Sequence, residues 1–315
     1  MKRIWRAGVV AALLVLINGV GIAQPPAGCS VDQQLAKLAD NPGSKDSARP
    51  FKFIVLGDNQ TPRHFKGPIM AGTMKPFQTE PFKQIIAEAN ILQPAFVVNV
   101  GDLILGYTAP EIIQASWDDY LSTIAASERP FISVSGNHDV FNTTAERIWL
   151  ERMGPLYYSF NFGNSHFVVL NSQESEVQGK SDLCSFSVEQ LAWLKADLEA
   201  QRNAQHIFVF LHKPFFAMPA DKIGNWAEVH NLLKQYPVRA VFAGHQHRYC
   251  KFDLLDGIQY IVTGGAGTEL FGLPKQGFFN HYLLVEVDGA KMHYAVVKPG
   301  AILSPEVVVE PLICK

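Results

Sequence analysis

The chain predicts an α/β fold, and three features of its 315 residues carry that expectation. Short runs rich in Val, Ile and Phe, too brief for helices, alternate with amphipathic stretches at helical spacing. Five of these runs lead straight into side chains able to bind metal, at the strand ends where α/β sheets carry their ligands. The last three runs have no helix between them and read as an antiparallel finish.

In chain order, Lys2, Arg3 and Arg6 precede the apolar run Ala7 to Ile17, followed by Gly19, Gly21, Ala23 and Gln24-Pro25-Pro26. That order is expected of a secretory signal peptide, residues 1–23, cleaved after Ala23. The run is interrupted at Asn18 and is shorter than the roughly 20 apolar residues of a spanning helix, so no membrane span is expected in the mature chain. Export to a periplasmic or secreted location follows. Ala27-Gly28-Cys29 also ends like a lipid-attachment site, although Pro26 stands where an aliphatic residue is usual, which leaves an anchor through Cys29 as an alternative. In an oxidising compartment Cys29, Cys184, Cys250 and Cys314 allow three pairings. Cys184 with Cys250 and Cys29 with Cys314 is the expected set, with free buried thiols the alternative.

Residues 24–50 read as a lead-in and 51–315 as a single domain, because no repeat and no Pro/Ser-rich linker interrupts the body. Strands are expected at Phe51–Leu56, Ala95–Val100, Phe131–Val134, Phe167–Leu170, Ile207–Leu211, Val238–Ala243, Ile258–Val262, Tyr282–Val287 and Met292–Val297. Helices are expected at Pro81–Leu92, Pro110–Ala126, Thr144–Met153, Val188–Gln201 and Trp226–Gln235. Thr143 and Glu146 have the spacing of a capping box, and Ser187 that of a cap.

Composition limits partners more than chemistry. With 27 Lys+Arg against 29 Asp+Glu the chain has no cationic excess for a phosphate backbone, so no nucleic-acid-binding surface is expected. At 48% hydrophobic residues it has ample material for a core, which excludes a disordered chain.

The strand-end donors are Asp58 after Gly57, Asp102 after Gly101, Gly136-Asn137-His138-Asp139, His212, and Gly244-His245-Gln246-His247. Singly each is weak, since Gly-Asp is a common turn and a lone His is usually structural. Five at matched positions form a pattern. Asp58-Asn59-Gln60 and the four later elements resemble, in order, the signature of the calcineurin-like metallophosphoesterases: Asp-x-His, Gly-Asp, Gly-Asn-His-Asp/Glu, His, Gly-His-x-His. Gln60 departs from it by replacing a histidine with a neutral amide, a poorer ligand for zinc-like ions.

The resemblance implies a central β-sandwich of two mixed sheets flanked by helices, in four α/β/β/α layers. It implies two divalent or trivalent metal ions, one held by Asp58, Gln60, Asp102 and His247, the other by Asp102, Asn137, His212 and His245, with Asp102 bridging. Oxygen and imidazole donors point to manganese, iron or zinc. The implied reaction is phosphate ester hydrolysis by a hydroxide shared between the ions, on a small-molecule or polymer substrate. His138 is expected to protonate or stabilise the leaving alkoxide, with Asp139 orienting its ring or raising its basicity. Two alternatives stay open: a metal or phospholigand-binding module with little turnover, suggested by Gln60, and a dinuclear hydrolase of a carbon ester or amide.

Other conspicuous residues have plainer readings. His64 is either a substitute ligand for Gln60 or, with Arg63, faces substrate or solvent. Gly264-Gly265-Ala266-Gly267 lacks the Lys-Ser/Thr of a nucleotide loop and reads as a turn closing the rim beside His245. Asp118-Asp119 reads as a solvated helix face, and His166, His206, His230, His281 and His293 lack ligand spacing. Lys213 either adds charge near a phosphate or faces solvent. Tyr107, Phe215, Phe216, Trp226 and Phe271 either line an aromatic pocket or pack in the core.

Overall fold

The computed structural model describes residues 29–60, 79–177, 185–219, 222–300 and 313–314. The expected signal peptide, Arg63, His64 and Cys184 lie outside these residues. Among the described residues no helix is long and apolar enough to cross a membrane.

Two mixed sheets form the centre. In the first, β1 (Phe51–Leu56), β2 (Phe96–Asn99) and β3 (Phe131–Ser133) are parallel, and β10 (Tyr282–Asp288) and β11 (Lys291–Val297) complete the order β11-β10-β1-β2-β3. The second contains β4 (Tyr158–Phe162), β5 (Ser165–Val169), β6 (His206–Phe210), β7 (Val238–Ala243), β8 (Tyr249–Phe252), β9 (Gln259–Thr263) and β12 (Ile313–Cys314). Its order is β12-β8-β9-β7-β6-β5-β4, with β5, β6, β7 and β9 parallel.

Strand alternation builds the layers. Phe53 and Val55 of β1 enter the core between the sheets, where Phe53 stacks on Phe96 at 5.3 Å and meets Phe208 edge-on at 5.4 Å. Such ring pairs are worth about 0.5–1.5 kcal/mol each beyond area burial. Ile54 and Leu56 point the other way, against α2 (Glu80–Leu92), α3 (Pro110–Ile124) and α4 (Thr143–Arg152). On the far side, beyond the single turn α5 (Glu174–Val177), Val168, Val209 and Val241 pack under α6 (Val188–Ala200) and α7 (Trp226–Leu233). The result is the four-layer α/β/β/α sandwich. Strands buried on both faces read as unbroken apolar runs, which is why the middle strands are legible in the sequence.

Several expectations change. The finish is not one antiparallel unit: β10 and β11 pair antiparallel in the first sheet, whereas β9 joins the second, parallel to β7. The structure adds β4, whose Tyr158, Phe160 and Phe162 alternate, and the short β8. Residues after Ser30 join the fold instead of leading up to it. Ser30 and Gln33 form a capping box that starts α1 (Val31–Ala39), and Val31 and Leu38 are buried in the inter-sheet core. Helix α4 is capped by Asn142, whose side chain accepts from the Ala145 N–H at 2.9 Å, so Thr143 is helical and not the cap. Cys29 is a free thiol, 2% exposed, directed at the Leu121 carbonyl. That overturns its pairing with Cys314, and a lipid on the sulfur would require turning it out of this burial.

Candidate metal centre

The donors converge where parallel strands of both sheets end. Asp58 follows β1, Asp102 follows β2, Asn137 to Asp139 follow β3, His212 follows β6, and His245 and His247 follow β7. The turns are tight. Asp58, Asp102, His245 and His247 have φ of 59°, 56°, 69° and 47°, a left-handed conformation that residues other than glycine seldom adopt. Gly101, at φ 102°, lies so close to His212 that an added Cβ would be 2.6 Å from its Nδ1. Only glycine serves there.

Two donor trios share one carboxylate. Asp102, His212 and His245 form one, and Asp58, Asp102 and His247 the other, with the ligand atoms of each within 4.8 Å of one another. Asn137 joins the first, its Oδ1 lying 3.1 Å from His212 Nε2 and 2.8 Å from His245 Nδ1. Gln60, 1% exposed, ends against Asp102. Its side-chain oxygen lies 3.3 Å from Asp102 Oδ2 and 3.0 Å from the Asp102 carbonyl. Oxygens facing one another in this way need either a turned amide or a cation between them.

Neighbouring carbonyls set the imidazole tautomers. His212 Nδ1 is 2.9 Å from the Val100 carbonyl, and His247 Nδ1 is 2.9 Å from the Glu269 carbonyl. With those nitrogens donating, each Nε2 offers a lone pair to the centre, His212 at 3.2 Å from Asp102 Oδ1 and His247 at 3.4 Å from Asp58 Oδ1.

The electrostatics call for positive charge. Burial, with the nearby charges of Asp102 and Asp139, drives the Asp58 carboxyl well above its ordinary range despite His212. Burial opposes ionisation of Asp102 too, but His212 and His138 outweigh it and hold the group low. Burial works against a charge on His212, yet Asp102 pushes it up to about 9, so the Nε2 lone pair becomes available where a cation displaces that proton. His245 is driven down to about 3 by burial and by His212, with the half-buried Lys213 adding to the effect. Crowded acids and imidazoles turned towards the centre together fit cations.

His138 is 3% exposed, donates its backbone N–H to Asp102 Oδ1 at 2.9 Å, and places Nε2 4.0 Å from Asp102 Oδ2. Asp139 does not orient that ring. Its Oδ1 accepts from the amides of Leu103 and Ile104 at 2.9 and 3.1 Å, and its Oδ2 from Gly136 at 2.7 Å. Burial and the Asp102 charge push this carboxyl up to about 8 against the pull of the amides, a further acid that nearby cations would relieve. The group clamps the loops after β2 and β3 together, a different part from the expected orienting of the His138 ring.

Some supports have no motif to reveal them. Ser172 Oγ accepts from the amides of His212 and Lys213, and Asn99 donates to Asn59 behind the Asp58 turn. The glycine loop closes the rim: the Ala266 amide donates to the Gly57 carbonyl at 2.9 Å, and the Thr268 amide to the Asp58 carbonyl at 3.0 Å. His166, His206, His230 and His281 are engaged elsewhere, and Asp118 pairs with Arg152 at 2.8 Å. Phe215 and Trp226 are core residues with Phe216 packed against them, whereas Tyr107 and Phe271 stay exposed.

Known proteins share this architecture. The chain is 35% identical over 210 residues to the serine/threonine-protein phosphatase CPPED1 of Homo sapiens, covering 61% of this chain and 65% of that protein's length. It is 29% identical to purple acid phosphatase 21 of Arabidopsis thaliana over 58% of this chain and 49% of that one. The chain thus spans less than two thirds of these curated relatives. In fold it is similar to a dimetal phosphatase from Danio rerio, with a TM-score of 0.57 at 16% identity, covering 79% of this chain and 99% of that one. It is similar too to GAP50 of Plasmodium, with a TM-score of 0.54 at 14% identity, covering 84% and 89%. The calcineurin-like phosphoesterase profile matches residues 51–249, from the first strand through the last donor loop, and the chain belongs to that family.

Proposed function

We propose that the chain hydrolyses a phosphate monoester at this centre. The observation that carries the reading is the pair of donor trios meeting at Asp102. Both curated relatives are named as phosphatases, which supports the monoester class. In this reading Asp58, Gln60, Asp102 and His247 hold one ion, and Asp102, Asn137, His212 and His245 the other, with manganese, iron or zinc suited to the donors. When bound, the ions supply Lewis acidity that activates water and neutralises phosphoryl charge.

The protein's own groups do the rest. The Val100 and Glu269 carbonyls keep His212 and His247 turned inward. Asp139 fixes the loops carrying Asp102 and His138 relative to each other. His138, beside Asp102 at the edge of the cluster, delivers a proton to the departing alkoxide or balances its charge. The N-terminal pattern supports export, as does the disulfide-bonded state of Cys250, for which Cys184 is the proposed partner.

The deciding experiment is a substrate panel on the purified full chain: para-nitrophenyl phosphate, its bis-ester, its phenylphosphonate and a carboxyl ester, with manganese, iron, zinc or chelator. Metal-dependent hydrolysis of the monoester is expected. Cleavage of the carboxyl ester alone selects a carbon-centre hydrolase, and no turnover with any metal selects a binding protein.

A further inference from the structure

We propose that Tyr107 and Phe271 bind the leaving group, and that the preferred substrates are phosphomonoesters with a planar aromatic ring close to the ester oxygen. The inference rests on the phosphomonoesterase reading and deepens it.

Each of these rings is exposed and lies against an imidazole of the centre. Tyr107 is 49% exposed and stands edge-on to His138, with ring centroids 5.1 Å apart and planes at 89°. Its hydroxyl accepts from Asn137 Nδ2 at 3.5 Å. Phe271 is 64% exposed and stacks on His247 at 5.3 Å with planes at 22°. Tyr107 thus flanks the part of the cluster where His138 meets the leaving oxygen. Phe271 flanks the trio that contains His247.

Neither placement follows from stability. The remaining candidate aromatics, Phe215, Phe216 and Trp226, are packed under the second sheet, as apolar rings without a ligand should be. Tyr107 also holds φ at 58°, which a bulky residue avoids, and Phe141 braces its ring at 4.6 Å. A costly backbone, a braced ring and an exposed face occur together beside the reacting centre. An aromatic leaving group gains edge and face contacts there that a saturated ring of the same size does not.

The test compares benzyl phosphate with cyclohexylmethyl phosphate, both esters of primary alcohols of similar size, on the metal-loaded full chain. The expected preference in kcat/KM for the benzyl ester is about tenfold, carried mainly by KM. Phe271→Leu and Tyr107→Leu are each expected to lower that ratio about threefold, whereas Tyr107→Phe, which keeps the ring, retains it. Phe271→Leu alone decides if the Tyr107→Leu variant does not fold, because Phe271 lies on the surface. Equal efficiency on the two esters, or an unchanged ratio in Phe271→Leu, overturns the inference and leaves phosphate ester hydrolysis standing. Hydrolysis of para-nitrophenyl phosphate but of neither of these esters overturns this inference alone, whereas turnover of no phosphomonoester with any metal overturns the phosphomonoesterase reading and this inference with it.

Discussion

Asp102 and His212 meet in full burial, with Oδ1 and Nε2 3.2 Å apart, and that same carboxylate completes both donor trios. A single acid therefore links the two halves of the centre. In Asp102→Asn both ions are expected to be lost, with phosphate ester hydrolysis lowered by at least about 10²-fold, comparable to removing one key electrostatic group. Metal counted by mass spectrometry checks this, and two ions retained per chain would remove the bridging assignment.

His138 touches the cluster without belonging to either trio. His138→Ala is expected to reduce kcat by about 10²–10⁴-fold while metal content stays intact. Loss of an ion in that variant would make His138 a ligand instead.

The Asp139 carboxyl group is the acceptor for backbone amides of two loops. Each buried amide left without an acceptor costs about 1–3 kcal/mol, so Asp139→Ala is expected to lower stability by about 3 kcal/mol or more in urea unfolding. Unchanged stability with slowed turnover would return Asp139 to the ring-orienting part.

Gln60 supplies a neutral amide where the family signature has imidazole. Calorimetric titration with zinc is expected to resolve one tighter and one weaker site, and Gln60→His to strengthen the weaker one. Two equally tight sites in the native chain would show that the amide is no handicap.

His281 is fully buried, and burial lowers its pKa from 6.5 to about 4 even though Nδ1 meets the Phe279 carbonyl. The folded state keeps this ring neutral where the unfolded chain would bind a proton. Its contribution is therefore complete above pH 6.5 and is lost as pH falls towards 4. The loss amounts to about 3 kcal/mol between those limits. His281→Gln is expected to flatten that part of the stability profile measured by urea unfolding. A profile with the same slope in both proteins would place the acid sensitivity elsewhere.

Much of the centre is legible in the sequence because its chemistry is local. Gly101-Asp102 and Gly244-His245-Gln246-His247 are short turns at the ends of apolar strands, and both the turn geometry and the donor types are written in consecutive residues. The role of Asp139 is not legible in this way. Adjacency to His138 suggests a partner for the ring, but the carboxyl group turns towards amides that include Leu103 and Ile104, far away in the chain. The exposed rings show the same limit, since Phe215 and Phe271 look equivalent until packing buries one and leaves the other beside His247.

The α/β class, the strands buried on both faces and the order of the donor motifs can be read before folding, because periodicity and turn chemistry act over a few residues. Which sheet β9 joins, the turning of the Asp139 carboxylate towards loop amides, and the burial of Cys29 as a free thiol emerge with the packed molecule. These depend on contacts such as the His245 amide on the Asp58 carboxylate, 187 residues apart in sequence. No local pattern encodes such a contact; it arises when both sheets close on a common core and bring their strand ends to one rim.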